Sequence, residues 1–345
     1  MTSPVNRQWH LASHPVGMVK ESDFKLQESE VPAAKEGQIL VRCLYLSVDP
    51  AMRAWITGQR TYVEGVQVGD LMRGAAVGQV IESKKPGYEP GEFVLGEFGW
   101  QDYCATDGRG LLPVNKVPPG IGLTIPLGPL GITGITAYFG LLDVGRPQKG
   151  ETVVVSAAAG ATGSVVAQIA KIKGCRVVGM AGGPEKCAWL AGELGLDGVI
   201  DYKSDNVLAK LAELCPRGID VYFDNVGGPL LEAALEHLAM KGRVVICGAI
   251  STYNATEPPP GPRNYLQLLM KRGRMEGFIV IDYFDRIAEA VTDLAGWVMS
   301  GQVRYKEDIV DGLEQAPQAL IRLFTSKNFG KQLVKIADPT LGGGA

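Results

Sequence analysis

Between residues 152 and 172 the chain reads TVVVSAAAGATGSVVAQIAKI, an apolar run of strand length that passes through a turn of small residues straight into a helical segment. That succession constrains the fold more than any other stretch. Gly160 lets a ligand approach the backbone, Gly163 lets the helix pack closely on the strand, and the helix start offers unpaired N–H groups to an anion. Ala158 stands where the first glycine of the usual Gly-x-Gly-x-x-Gly would be, so the turn alone is a weak signal. Its surroundings strengthen it. RVVGMA, DGVIDY, IDVYFDN and GRVVICGAI read as further strands, with helical stretches such as EKCAWLAGELG between most of them. Apolar runs alternating with helices predict an α/β fold, a parallel doubly wound sheet beginning near Thr124, and with it dinucleotide binding.

The earlier third has a different texture. GQILVRCLYLSV, AAVGQVIES and GEFVLGEFGWQDYCAT are strand-like runs broken by glycine and proline, which predicts a β-rich, barrel-like unit. A chain of 345 residues exceeds the roughly 250–300 at which a single core stops growing, so two domains are expected. EPPPGPRN at 257–264 reads as a loop and Asp282 to Met299 as an amphipathic helix. KQLVKI reads as a last strand returning to the first domain, and the closing GGGA is expected to fray.

The charge is nearly balanced, at −3, which argues against nucleic acid as a partner. No apolar stretch is long enough for a membrane span and no secretory leader is legible, so a cytoplasmic enzyme is expected. Cys43, Cys104, Cys175, Cys187, Cys215 and Cys247 stand singly, and His10, His14 and His237 are the only histidines, so no metal site is expected. The second strand of the sheet bears on the cofactor. NAD enzymes place an acid there for the ribose hydroxyls, whereas this chain has Gly179-Met180-Ala181-Gly182-Gly183 followed by Lys186 in the first turn of the next helix. A lysine there suits a ribose phosphate, and the expected cofactor is NADPH/NADP+.

Together with NRQWHLASHPVG, LYLSVDPAMR, GITAYFGLLDVG, DVYFDNVGG, VVICGAISTYN and KNFGKQLVKI, these motifs resemble the zinc-independent medium-chain dehydrogenase/reductases. The likeness is to the branch of prostaglandin reductases, leukotriene hydroxydehydrogenases, alkenal double-bond reductases and curcumin reductases, and it spans nearly the whole chain. It implies a GroES-like substrate domain over 1–124 completed by 306–345, a Rossmann domain over 125–305, an active site in the cleft and a homodimer through the Rossmann domains. Where metal-dependent relatives carry Gly-His-Glu, this chain has Arg73-Gly74-Ala75-Ala76, and the cysteine cluster of their structural zinc lobe is missing.

The resemblance also implies which residues meet the cofactor. They are Gly160, Ala161, Thr162 and Gly163 in the turn; Lys186 and Tyr202 at the ribose phosphate; Asn225; Cys247, Gly248, Ala249, Ile250, Ser251, Thr252 and Tyr253; Phe278, Ile279 and Val280; and Asn328. The implied reaction reduces the carbon–carbon double bond of a small enone or enal. Hydride adds at the β-carbon and negative charge develops on the carbonyl oxygen, so a donor must face that oxygen. Tyr253 is the family's residue for that role, with the final proton donor left open. In LYLSVDPAMR the commoner family tyrosine is replaced by Ala51, and Tyr62, eleven residues on, stands where relatives often have a second tyrosine. Both are expected to line the substrate pocket, Ala51 enlarging it, while Asp49 and Arg53 are read as a local structural pair. Trp55, Tyr253, Tyr265 and Tyr283 are aromatic candidates for an apolar cleft. Quinone reduction, oxidation of an allylic alcohol and non-catalytic NADPH binding are the competing readings.

Overall fold

The computed structural model describes residues 4–340, so the closing GGGA lies outside the described residues. The chain divides into two compact units. The first runs through Leu127 and is rejoined by Glu307–Asn328 and by the chain from Gln332 onward; the second comprises Gly128–Lys306 and, later, Phe329–Lys331.

The amino-terminal part of the first unit carries β1 (Val5–Leu11), β2 (Phe24–Glu30), β3 (Ile39–Ser47), β4 (Ala75–Ser83), β5 (Phe93–Glu97), β6 (Tyr103–Thr106) and β7 (Asn115–Lys116). Strands β1 and β2 pair antiparallel with each other. GEFVLGEFGWQDYCAT forms two strands rather than one. The break falls at Gly99, whose φ of +76° suits glycine and where a Cβ would lie 2.9 Å from Leu71 and 3.0 Å from the Met72 carbonyl.

The second unit holds β8 (Thr152–Val155), β9 (Arg176–Ala181), β10 (Gly198–Asp201), β11 (Ile219–Asp224), β12 (Leu238–Ile246) and β13 (Arg274–Gly277). They form one parallel sheet in the order β10-β9-β8-β11-β12-β13. Two cores explain why its strands read as unbroken apolar runs. Val153, Val155, Val177, Val221, Phe223 and Val245 feed the core on one face. Their neighbours Val154, Val178, Tyr222 and Val244 feed the core on the other. Successive side chains point to opposite faces, and helices cover both, so neither parity can be polar. Each such side chain, fully withdrawn from water, contributes about 1.5–3 kcal/mol. The strand order reverses between β8 and β11, which places the switch point beside the glycine turn.

Returning to the first unit, the chain forms β14 (Glu307–Asp311) and β15 (Lys331–Lys335), completing a sheet ordered β14-β15-β3-β4-β5-β7, with β6 on β3. KQLVKI therefore does close the earlier sheet, pairing antiparallel with β3 through Leu333 opposite Ser47. The helix read at Asp282–Met299 starts later than its sequence pattern suggests. Val280–Arg286 is wound as 3-10 helix and only Ile287–Met299 is α-helical. That segment seats Tyr283 on the Phe139 ring, 4.5 Å between centroids, and sets Arg286 against Asp143.

Candidate cofactor and active site

The glycine turn is built by steric exclusion. β8 ends at Val155, Ala157 takes a left-handed conformation (φ +48°), and the Gly160 N–H donates to the Ala157 carbonyl at 2.9 Å. Gly160 then caps the helix Ala161–Ile172 and offers no side chain of its own to the helix start. The first N–H groups of a helix have no partner inside it, and those of Ala161, Thr162 and Gly163 stand at this one. A Cβ on Gly163 would sit 2.3 Å from the Ala157 carbonyl oxygen, so the glycine is obligatory. Ala158, in the first glycine's place, is fully buried and donates its N–H to Met180 at 2.9 Å, which ties the turn to β9. A strap from far along the chain braces the other side. The Gly330 N–H donates to the Ala159 carbonyl at 3.0 Å, and Gly330 bridges Gly160 in parallel. Asn328 directly precedes this strap.

At the end of β9, Gly182 leaves room for a ring: a Cβ there would lie 2.6 Å from the Tyr202 hydroxyl. The structure thus brings Tyr202 over the β9 turn, and Lys186 stands in the first turn of the helix Pro184–Gly192 that begins there. An acid also reaches this place, from the neighbouring strand rather than from β9 itself. Asp201 at the end of β10 accepts from the Gly183 N–H at 2.9 Å and from the Lys203 N–H at 3.0 Å. The Gly183 bond, aided by Lys203 and Ser204 and opposed by burial, holds the Asp201 carboxyl below its usual range. The backbone thus engages that carboxylate.

The end of β11 carries the densest polar network, and its hub escaped the sequence reading. Asp224 is fully buried. Its Oδ1 accepts from the Ser156 hydroxyl (3.0 Å), the Tyr222 hydroxyl (3.2 Å), the Val226 N–H (3.0 Å) and the Gly227 N–H (2.9 Å). Its Oδ2 is buried without a hydrogen bond. Burial pushes the carboxyl up, against the four donors that pull it down. Ser156 in turn accepts from the Asn225 N–H at 2.8 Å, and the Asn225 side-chain amide donates to the Ser156 carbonyl at 2.7 Å, which fixes Asn225 beside the glycine turn. The signal available for Asp224 was its place at the strand end in DVYFDNVGG, one residue before Asn225.

The same aspartate anchors the segment after β12. The Cys247 and Gly248 N–H groups donate to the Asp224 carbonyl at 2.9 and 3.1 Å, and the Ile250 N–H donates to the Asn225 carbonyl at 3.2 Å. Ser251 bonds the Val226 carbonyl through its hydroxyl at 2.6 Å. Ile250–Thr252 is a 3-10 turn that folds Tyr253 back, so that its hydroxyl accepts from the Ala249 N–H at 3.3 Å. Gly248 permits this, since a Cβ on it would lie 3.0 Å from that hydroxyl. Asn225 and 247–253 therefore meet at the carboxyl edge of the sheet. Burial pushes the Cys247 thiol up to about 12, which disqualifies it as a nucleophile at neutral pH. Phe278 packs edge-on against Phe223 and Tyr283, at 6.4 and 6.3 Å between centroids, and Ile279 and Val280 follow as half-buried residues.

In the first unit, Ala51 caps the short helix Met52–Trp55 and is half-buried, while Tyr62 is 48% exposed in an irregular segment. Arg53 is buried and donates to the Pro15 and Gly17 carbonyls, both at 3.1 Å, a structural role. Arg73, which opens the Arg73-Gly74-Ala75-Ala76 stretch, pairs with Glu97 at 2.7 Å. The Nδ1 atoms of His10, His14 and His237 lie 2.8, 3.0 and 3.2 Å from the carbonyls of Gly69, Ile56 and Ala233. Among the described residues no group of three or more histidine, cysteine or carboxylate side chains is arranged to hold a metal. Of the aromatic candidates, Tyr265 is 60% exposed and Tyr283 packs against Phe139 and Phe278.

A six-stranded parallel sheet in this order, with an obligatory glycine turn and polar strand ends at its switch point, defines a Rossmann-type nucleotide unit. Comparison with known proteins narrows the class. A family model described as the N-terminal domain of oxidoreductase matches residues 7–114, and one described as zinc-binding dehydrogenase matches 161–296. The chain is 46% identical to the NADPH-dependent curcumin reductase of Escherichia coli strain K12 over 96% of this chain and 97% of that protein. It is 42% identical to prostaglandin reductase 1 of Bos taurus, over 95% and 98%. Among solved structures it superposes on CurA in complex with NADPH from Vibrio vulnificus with a TM-score of 0.91 at 45% identity, over 96% and 100%. The chain belongs to the zinc-independent medium-chain dehydrogenase/reductases.

Proposed function

We propose that this chain is an NADPH-dependent reductase that saturates the carbon–carbon double bond of α,β-unsaturated ketones and aldehydes. The observation that carries the reading is the convergence, at one sheet edge, of the Gly160–Gly163 turn, Asn225 and the Cys247–Tyr253 segment through the Ser156–Asp224 network. The names of the relatives point the same way. The residues present fit the cofactor: the cradle would be filled by a Cβ at Gly163, and the Tyr202 hydroxyl stands over Gly182. When bound, NADPH supplies the hydride.

The helix start at Ala161–Gly163 would hold the pyrophosphate by its N–H groups, and Lys186 with Tyr202 would hold the ribose phosphate. Asn225, Cys247–Tyr253, Phe278–Val280 and Asn328 would complete the binding surface. Tyr253 presents a phenol to the substrate carbonyl oxygen and stabilises the charge that develops there, work in which a pre-placed donor contributes more than water would. Ala51 and Tyr62 would shape the substrate pocket. The two GroES-like segments, 1–124 and 306–345, would serve as the substrate domain. β13 at the sheet edge, with Leu266, Leu269 and Met270 each more than half exposed beside it in the chain, supports a homodimer through the Rossmann unit. Six free thiols suit a cytoplasmic setting.

The deciding experiment follows NADPH oxidation against enals, enones, an aromatic enone and a quinone, with product analysis. Saturated carbonyl product is expected; turnover of the quinone alone, or binding without turnover, would overturn the proposal.

A further inference from the structure

The amino edge of the parallel sheet, opposite the edge just described, carries a feature that the reductase does not use. Arg146, Lys241, Arg243, Arg272 and Arg274 line a cavity of about 390 Å³, within the size range of small-ligand sites. Arg243 and Arg274 face each other across β12 and β13 at the first paired position of those strands. Ile246 and Gly277, where the strands end, lie three residues on, about 10 Å at the rise of a β-strand, so the cavity is separate from the carboxyl edge.

Two of the five cations are already engaged. Arg243 binds both oxygens of Glu151, and its Nε donates to the Gly145 carbonyl at 3.0 Å. Arg274 donates to the Val144 carbonyl and lies 3.6 Å from Glu276, yet its Nε is enclosed without a hydrogen bond. The other three, Arg146, Lys241 and Arg272, are exposed and have no carboxylate within 4.0 Å among the described residues, although Arg146 donates to the Asp143 carbonyl at 2.6 Å and Arg272 to the Met270 carbonyl at 3.0 Å. Their backbones are unusual as well. Among the described residues, the non-glycine positions with positive φ are Arg146 (+49°), Ala157 (+48°), Lys241 (+62°), Arg272 (+49°) and Ser326 (+57°), so three of the five are cations of this one cavity without a carboxylate partner. Glycine or asparagine is the usual occupant of such positions, because a side chain crowds its own carbonyl there. Long cations stand here instead, at two helix ends and at one position inside β12, in a chain whose net charge is −3. Cations without a carboxylate partner that line one cavity favour an anion there.

We propose that this cavity is a second anion site, taking a small molecule that carries two or more phosphate groups. Arginine forks and one ammonium suit phosphate oxygens, and more than one phosphate suits cations spread over two helix ends and one strand. The site stands independently of the reductase reading.

The test measures the thermal midpoint of the full chain, free of nucleotide because NADP+ itself carries the phosphates the site would take, against added inorganic pyrophosphate and orthophosphate. The variant is Lys241→Gly with Arg272→Gly, since glycine accepts both backbone conformations and folding should be kept. Pyrophosphate is expected to raise the midpoint, more than orthophosphate does, and the variant is expected to bind it at least about tenfold more weakly with NADP+ affinity unchanged. No shift with pyrophosphate, or an equal shift in the variant, would overturn the proposal. So would a cavity that ignores pyrophosphate while the variant changes the oligomeric mass, because a second copy would then be the occupant. Pyrophosphate binding lost in the variant, in a chain that fails to bind NADP+, would sink the cofactor reading and support this one.

Discussion

Asp224→Ala and Asp224→Asn should part company, and the difference tests the hub at the end of β11. The alanine removes the acceptor for the Ser156 and Tyr222 hydroxyls and for the Val226 and Gly227 N–H groups. An orphaned buried donor costs about 1–3 kcal/mol, and water entering the vacated space returns part of it, so a loss of about 3–5 kcal/mol is expected. Asparagine keeps the Oδ1 acceptor, removes the buried charge and leaves an amide N–H at the Oδ2 position, where the carboxylate oxygen bonds to nothing. That orphaned donor should cost about 1–3 kcal/mol at pH 7, less than the loss in the alanine variant.

The pH dependence carries a sign. Burial raises the carboxyl of Asp224 in the folded chain, so the folded state holds its proton more tightly than the unfolded one. Its contribution is therefore complete below the unfolded value, about 3.9, and declines as pH rises through the folded value. Asp224→Asn should accordingly gain on the wild type as pH rises from below about 3.9 toward neutrality. Trp189 and Trp297 lie in the same unit and report its unfolding in urea by fluorescence. Asparagine as harmful as alanine, or an asparagine variant that loses ground as pH rises, would refute the reasoning.

Four further outcomes are expected. Tyr253→Phe removes the donor while keeping the ring, so kcat on an enone should fall about 100-fold with NADPH affinity little changed, as steady-state kinetics would read. Lys186→Glu should lower the NADPH-over-NADH ratio of kcat/KM by about tenfold or more, and an unchanged ratio would remove Lys186 from the phosphate site. Gly163→Ala forces a methyl to within 2.3 Å of the Ala157 oxygen, so about 1–3 kcal/mol of stability and most NADPH binding should be lost, as calorimetry would show. Ala51→Tyr should shift preference from bulky toward small enones; an unchanged ranking would mean that Ala51 does not shape the pocket.

The parallel sheet was legible because its strands are buried on both faces, and the valine runs from Thr152 and Arg176 have no other economical fate. β13 was not. Its residues, Arg274-Met275-Glu276-Gly277, carry neither an apolar run nor an alternation, and the strand exists because β12 offers it a backbone edge. The start of the helix after Phe278 was misplaced for a related reason. Local periodicity continues through Val280–Arg286, whereas the stacking of Tyr283 on Phe139 comes from a distant helix. In the site, the glycines and Asn225 showed themselves by spacing and motif. Asp201 did not, since the reading searched β9 for an acid and the carboxylate arrives from β10. Asp224 was hidden because an aspartate at a strand end gives no sign that four donors will converge on it.

Synthesis order gives the Gly330 strap a temporal meaning. Gly160 leaves the ribosome half a chain ahead of its partner, so a nascent Rossmann unit holds every strand of its sheet while its nucleotide turn still lacks one wall. Shortening the protein from its carboxyl end past Phe329 should recreate that nascent state permanently: a sheet able to form, with a turn never braced.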